Sequence, residues 1–220
     1  MKFFLDSAIT GEIAYAVEMW DIDGVTTNPR HVQASGKPFM TVIREIAKIF
    51  EGPEKPISVE VNPHLTDWHD MVAEAEKLAA ISPNFVIKIP AIEAGFRALK
   101  ELRGEGIRVN LTLAFSAAQA LQAMRLGATF VSPFIGWKES NGEETIRMIE
   151  EIVAIRDNYG FETEIIVAAV RNGRQIVEAA VAGADIITAG FAVFQDSFDH
   201  PYTQMGLGKF SDFWDQTKYE

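Results

Sequence analysis

Eight times along this 220-residue chain, a short run of β-branched and aromatic residues gives way to a stretch with apolar residues at helical spacing. The β-rich runs are Lys2–Asp6, Gly24–Asn28, Ile57–Val61, Phe85–Pro90, Val109–Phe115, Phe130–Ile135, Glu164–Val170 and Ile186–Gly190. Helical stretches fall at Ile9–Trp20, Lys37–Phe50, Asp67–Ile81, Ile92–Leu102, Ser116–Leu126, Glu143–Asp157, Arg174–Ala182 and Tyr202–Gln216. Alternation of this kind calls for a parallel sheet with its helices outside. Eight units in this length predict a single-domain α/β fold over residues 1–220, a (β/α)8 TIM barrel. An open doubly wound sheet is the competing architecture, but no Gly-x-Gly-x-x-Gly follows any of the strands.

One strand carries a misfit. Asn84-Phe85-Val86-Ile87-Lys88-Ile89-Pro90 is apolar except at its start and at Lys88. Lysine is almost never buried unless something pairs with it or uses it. An ammonium carried into apolar surroundings loses hydration, which favours the neutral amine, and a neutral amine adds to ketones and aldehydes. Two blander readings compete: a lysine whose head reaches solvent at a strand end, and a structural ion pair with Glu60.

The neighbouring strands weigh on that choice. Side chains two apart share a strand face. One alternate face then carries Asp6, Thr26 with Asn28, Ser58 with Glu60, Lys88, Asn110 with Thr112, and Ser132 with Phe134. Six strands in step predict one polar pocket around Lys88. Within it Lys88 is the candidate nucleophile, and Glu60 and Asp6 are carboxylates suited to moving protons. Thr112 could hold a water beside Glu60, while Thr26, Asn28, Asn110 and Ser132 offer hydrogen bonds to substrate hydroxyls. Taken singly, Asp6 could be a helix cap, Thr26 and Asn28 turn residues before Pro29, and Phe134 core.

Composition narrows the partners. With 48% hydrophobic residues there is material for one sizeable core. A formal charge of −11 argues against nucleic acid or an anionic membrane, and an anionic substrate would need a local cation. The absence of cysteine excludes disulfides and thiolate chemistry. The apolar run at Phe3–Leu5 is too short for a signal peptide, and no stretch is long enough to span a bilayer, so a cytoplasmic location is expected.

Leu5-Asp6, Gly24-Val25-Thr26-Thr27-Asn28-Pro29, Val59-Glu60-Val61, Ile87-Lys88-Ile89-Pro90, Asn110-Leu111-Thr112 and Val131-Ser132-Pro133-Phe134 together resemble the transaldolase family. The short form, which includes fructose-6-phosphate aldolase, is the most similar, and the likeness runs to His200-Pro201 and the Lys209-Phe210…Trp214 tail. The resemblance implies a class I Schiff-base mechanism without metal or cofactor. Lys88 would take the ketose C2 carbonyl, Glu60 and Thr112 would hold the relay water, and Asp6, Asn28 and Asn110 would bind the donor. In the aldolase branch the positions of Glu60 and Phe134 hold glutamine and tyrosine, so this chain sides with transfer. It also implies that the C-terminal helix clasps a neighbouring subunit, in pentamers that pair into decamers.

The family's anion motifs are altered here. Pro133-Phe134-Ile135-Gly136-Trp137 carries tryptophan where arginine stands in the family, and Ala168-Ala169-Val170-Arg171 carries Ala169 where serine does. Arg171 keeps the basic position, followed by Asn172, and Lys138 and Arg174 are further candidates for anion binding. Less positive charge and one indole N–H suit a monoanionic sulfonate better than a phosphate ester, which carries roughly −1.5 to −2 charges. That makes the chain similar to the sulfofructose transaldolases. An ordinary sugar-phosphate transaldolase, an aldolase for unphosphorylated acceptors and a non-catalytic sugar-acid-binding barrel are the alternatives.

Overall fold

The computed structural model describes residues 1–50 and 55–220. Eight short strands form the wall: β1 (Lys2–Asp6), β2 (Gly24–Thr26), β3 (Ile57–Glu60), β4 (Phe85–Pro90), β5 (Val109–Ala114), β6 (Phe130–Pro133), β7 (Glu164–Val170) and β8 (Ile186–Ala189). Each pairs in parallel with the next, and β8 closes on β1, so the sheet has no free edge. This is the TIM barrel that the alternation predicts.

Helices α1 (Thr10–Trp20), α3 (Phe39–Ile49), α4 (Trp68–Ala79), α5 (Glu93–Gly104), α6 (Ala117–Leu126), α8 (Ile146–Tyr159) and α9 (Gly173–Val181) match expected stretches to within a few residues. Short helices α2 (Pro29–Ala34), α7 (Gly136–Ser140) and α10 (Phe191–Phe198) do not, because they are too brief to show a period. Where the sequence suggests strand to Asn28, the chain turns after Thr26. The Asn28 side chain accepts the His31 N–H at 3.1 Å and caps α2, with Pro29 in the first turn.

The apolar residues divide into two cores. The larger lies between strands and helices and contains Leu5, Val25, Val59, Ile87, Leu111 and Val131. The smaller fills the barrel with Phe4, Val86, Phe130, Ile166 and Ile186; the rings of Phe4 and Phe130 meet edge-on at 5.9 Å. Last comes α11 (Pro201–Asp215), which buries none of its residues and leaves Phe210, Phe213 and Trp214 more than half exposed. Among the described residues no helix is long and apolar enough to cross a membrane.

Candidate active site

Two residues beyond the inner apolar ring, the same strands turn polar side chains inward. Register places Glu60, Lys88 and Asn110 side by side on β3, β4 and β5. Only 4% of the Lys88 side chain is exposed. Its Nζ donates to the Thr27 carbonyl at 2.8 Å and stands 3.2 Å from Glu60 Oε2. The solvent-reaching lysine is therefore ruled out, and the ion pair with Glu60 is formed.

A hydrogen-bonded string runs along each side of this pair. On one side Thr26 donates to Asp6 Oδ1 at 2.7 Å, so Thr188, 2.6 Å from Thr26, must donate its own proton to Thr26. The second Asp6 oxygen lies 3.0 Å from His31 Nε2. Burial pushes the Asp6 carboxyl up. The hydrogen bond and charge of His31, the Lys88 ammonium and the Thr26 hydroxyl outweigh it and hold the carboxyl below its ordinary value. Asp6 caps no helix, since α1 starts after Ile9 without a side-chain cap. On the other side Ser132 donates to Asn110 Oδ1 at 2.8 Å and Asn110 Nδ2 donates to Ser58 at 3.0 Å, which fixes the amide's orientation.

Above Asn110, the Thr112 hydroxyl is fully buried without a hydrogen-bond partner, an orphan that a water or a substrate oxygen would satisfy. The next residue, Leu113, has a left-handed φ of 56°, at the register shift between β5 and β6. Ala169 repeats this with φ 60° at the shift between β7 and β8. Bulges of this sort cluster at barrel rims beside sites and store backbone strain there. A cavity of about 400 Å³ is lined by Glu60 together with Thr27, Asn28, Val32, Phe39 and Asn62 among others. Among the described residues no group of three or more His, Asp or Glu side chains could hold a metal ion.

The candidate anion residues separate. Trp137, 54% exposed, packs against the rings of Phe115 and Phe134, each with its centroid 5.8 Å away. Phe134 is half-buried in this mouth cluster rather than core. Arg171 approaches the same corner: a Cβ on Gly136 would stand 2.9 Å from its Nε and 2.1 Å from the Ala169 carbonyl, so glycine is required. Lys138 is paired with Glu143 at 2.5 Å and Arg174 with Glu178 at 2.7 Å. Arg174 lines a hollow shared with Glu139, Glu143, Glu144 and Glu178, a poor place for an anion. Asn172 caps α9 through Gln175 N–H at 3.1 Å. Of the three basic candidates, Arg171 alone has no carboxylate partner among the described residues.

The transaldolase/fructose-6-phosphate aldolase family model matches residues 3–218. This chain belongs to that family. It is 59% identical over 221 residues to proteins of Priestia aryabhattai and Priestia megaterium named 6-deoxy-6-sulfo-D-fructose transaldolase, covering 100% of this chain and 98% of each relative. A protein of Dictyoglomus turgidum named probable transaldolase is 46% identical over 216 residues, covering 98% and 99% of the two chains. Among solved structures, a thiamine phosphate pyrophosphorylase from Pyrococcus furiosus superposes with a TM-score of 0.62 at 11% identity over 86% of this chain and 84% of its own. That likeness is one of fold alone.

Within this family barrel, several residues take part in the site beyond the roles that the sequence suggests. Thr27 enters through its carbonyl, and no side-chain pattern signals that. Thr188 shares the inner face with Ile186 by simple alternation, so its place was readable. Ser58 is on the expected face, and its part as a support for Asn110 emerges only from the hydrogen bond. His31 sits on a helix of six residues, beyond the reach of periodicity, and Phe115, where the expected strand ends, lies just past β5.

Proposed function

We propose that this chain is a cytoplasmic class I transaldolase that moves a dihydroxyacetone unit from 6-deoxy-6-sulfofructose to an aldehyde such as glyceraldehyde 3-phosphate. The observation that carries the chemistry is a buried Lys88 amine placed between a carboxylate, Glu60, and a carbonyl, that of Thr27. Lys88 adds to the ketose C2, and the carbinolamine loses water to give the imine. Glu60, through a water held with Thr112, takes the C4 hydroxyl proton; the C3–C4 bond breaks, sulfolactaldehyde leaves and the bonding electrons remain on Lys88 as an enamine. Asp6, Thr26, Asn28, Asn110 and Ser132 hold the donor hydroxyls. Phe134 offers no hydroxyl to protonate the enamine, so the intermediate waits for an acceptor. Attack on that aldehyde and hydrolysis of the imine then release a new ketose, fructose 6-phosphate for this acceptor.

The head group rests on Trp137 and Arg171. One unpaired guanidinium and one indole N–H match a single negative charge, and Trp137 packs beside the C6 methylene. The sulfofructose name of the Priestia relatives supports this choice. The exposed aromatic face of α11 supports a homo-oligomer in which that helix lies on a neighbouring copy.

Borohydride reduction in the presence of the ketose tests the mechanism: a stable three- or six-carbon adduct on Lys88 is expected, and none would defeat it. Turnover of sulfofructose against fructose 6-phosphate with one acceptor tests the head group. Trp137→Arg is expected to move that ratio towards phosphate by about tenfold or more, the worth of one charge-assisted hydrogen bond. An unchanged ratio counts against the assignment.

A further inference from the structure

His31 belongs to none of the sequence motifs of the site, yet it takes one of the two oxygens of Asp6. We propose that His31 is a positioning residue of the transaldol site, gripping Asp6 so that its carboxylate is held aimed at the donor end of the ketose. The inference rests on the Schiff-base reading above and extends it to a group on α2.

Geometry carries the argument. Thr26 occupies Asp6 Oδ1 and His31 meets Oδ2, so each oxygen has one fixed partner and a lone pair left for a substrate hydroxyl. The contact is not needed to anchor α2. Asn28 already caps that helix, and Thr27 Oγ1 donates to the Ser58 carbonyl at 2.9 Å just before it. About a quarter of the His31 side chain remains exposed, and the backbone N–H held by Asn28 fixes where the ring starts. The charged groups facing Asp6 are His31 from α2 and Lys88 from β4. Glu60 from β3 lies against Lys88, and β2 and β8 contribute only the hydroxyls of Thr26 and Thr188. Removing His31 takes away both a hydrogen bond and a positive charge that favour the carboxylate, so Asp6 would protonate at a higher pH.

The test is the pH profile of kcat/KM for the ketose donor in wild type, His31→Ala and His31→Gln. His31→Ala is expected to move the acid limb to higher pH and to raise KM. His31→Gln, which can donate a hydrogen bond but carries no charge, should recover part of the KM and less of the limb. An acid limb unmoved in both folded variants overturns the inference, since a purely structural histidine would lower stability and leave the limb in place. Should His31→Ala not fold, ring nitrogen shifts of His31 in wild type and Asp6→Asn decide. A donating Nε2 released on losing the carboxylate supports the contact, and identical spectra refute it. Borohydride trapping in the same preparations separates the two readings: wild type that forms no adduct loses the transaldolase proposal and this inference with it. Trapping with an unmoved limb defeats the inference alone.

Discussion

The inner apolar ring and the polar ring above it come from the same strands. Phe4, Val86, Phe130 and Ile186 face inward, and two residues later Asp6, Lys88, Ser132 and Thr188 face the same way. Neighbours in sequence thus answer to different demands. The lower ring excludes water and is worth about 1.5–3 kcal/mol for each large side chain it buries. The upper ring buries an amine, two carboxylates and several hydroxyls. Every contact there offsets a desolvation cost, so it adds little net stability. Function was placed where the fold could tolerate a polar layer, directly on top of one that could not be polar.

Exchanging residues between the rings gives the sharpest ways to break this contrast. Lys88→Met should remove turnover and borohydride adduct formation altogether, while circular dichroism still reports the barrel; residual trapping would move the nucleophile elsewhere. Phe130→Ala should cost about 3–5 kcal/mol in denaturant unfolding while the adduct on Lys88 still forms per folded molecule. If it instead leaves stability intact and stops trapping, the division of labour is wrong. Lys88→Met with Glu60→Gln removes both ends of the buried pair at once and should unfold at equal or higher denaturant than wild type, by up to roughly 1–4 kcal/mol. Smallest of all, Ser132→Ala leaves Asn110 Oδ1 without its donor. A loss of about 1 kcal/mol with a raised donor KM is expected, and no change in either would make that string ornamental.

Much of this layout is legible in the chain because strand alternation has a period of two and leaves little freedom. Asp6, Thr26, Glu60, Lys88, Asn110 and Ser132 lie on the expected faces because each strand is long enough to fix its phase. The stretch after β2 defeats that logic, since the chain leaves the sheet at Thr26 and turns His31 back towards Asp6 through a helix too short to be periodic. Charges on loops are harder still. Lys138 and Arg174 carry the sign an anion site wants, but Glu143 and Glu178 take both; the second pair is four residues apart on one helix and could have been anticipated. Arg171 stands out only once those neighbours are counted.

The missing side chain at Gly136 has a practical consequence for anyone who retools this enzyme. The Ala169 carbonyl and the Arg171 guanidinium share the space a methyl group would take, so the start of α7 and the end of β7 interlock there. A library at position 171 can leave Gly136 as it is, whereas one that varies 136 collides with a backbone carbonyl that no side-chain change at 169 or 171 moves. If Trp137 and Arg171 hold the head group as proposed, its preference should change through those two positions over an invariant glycine.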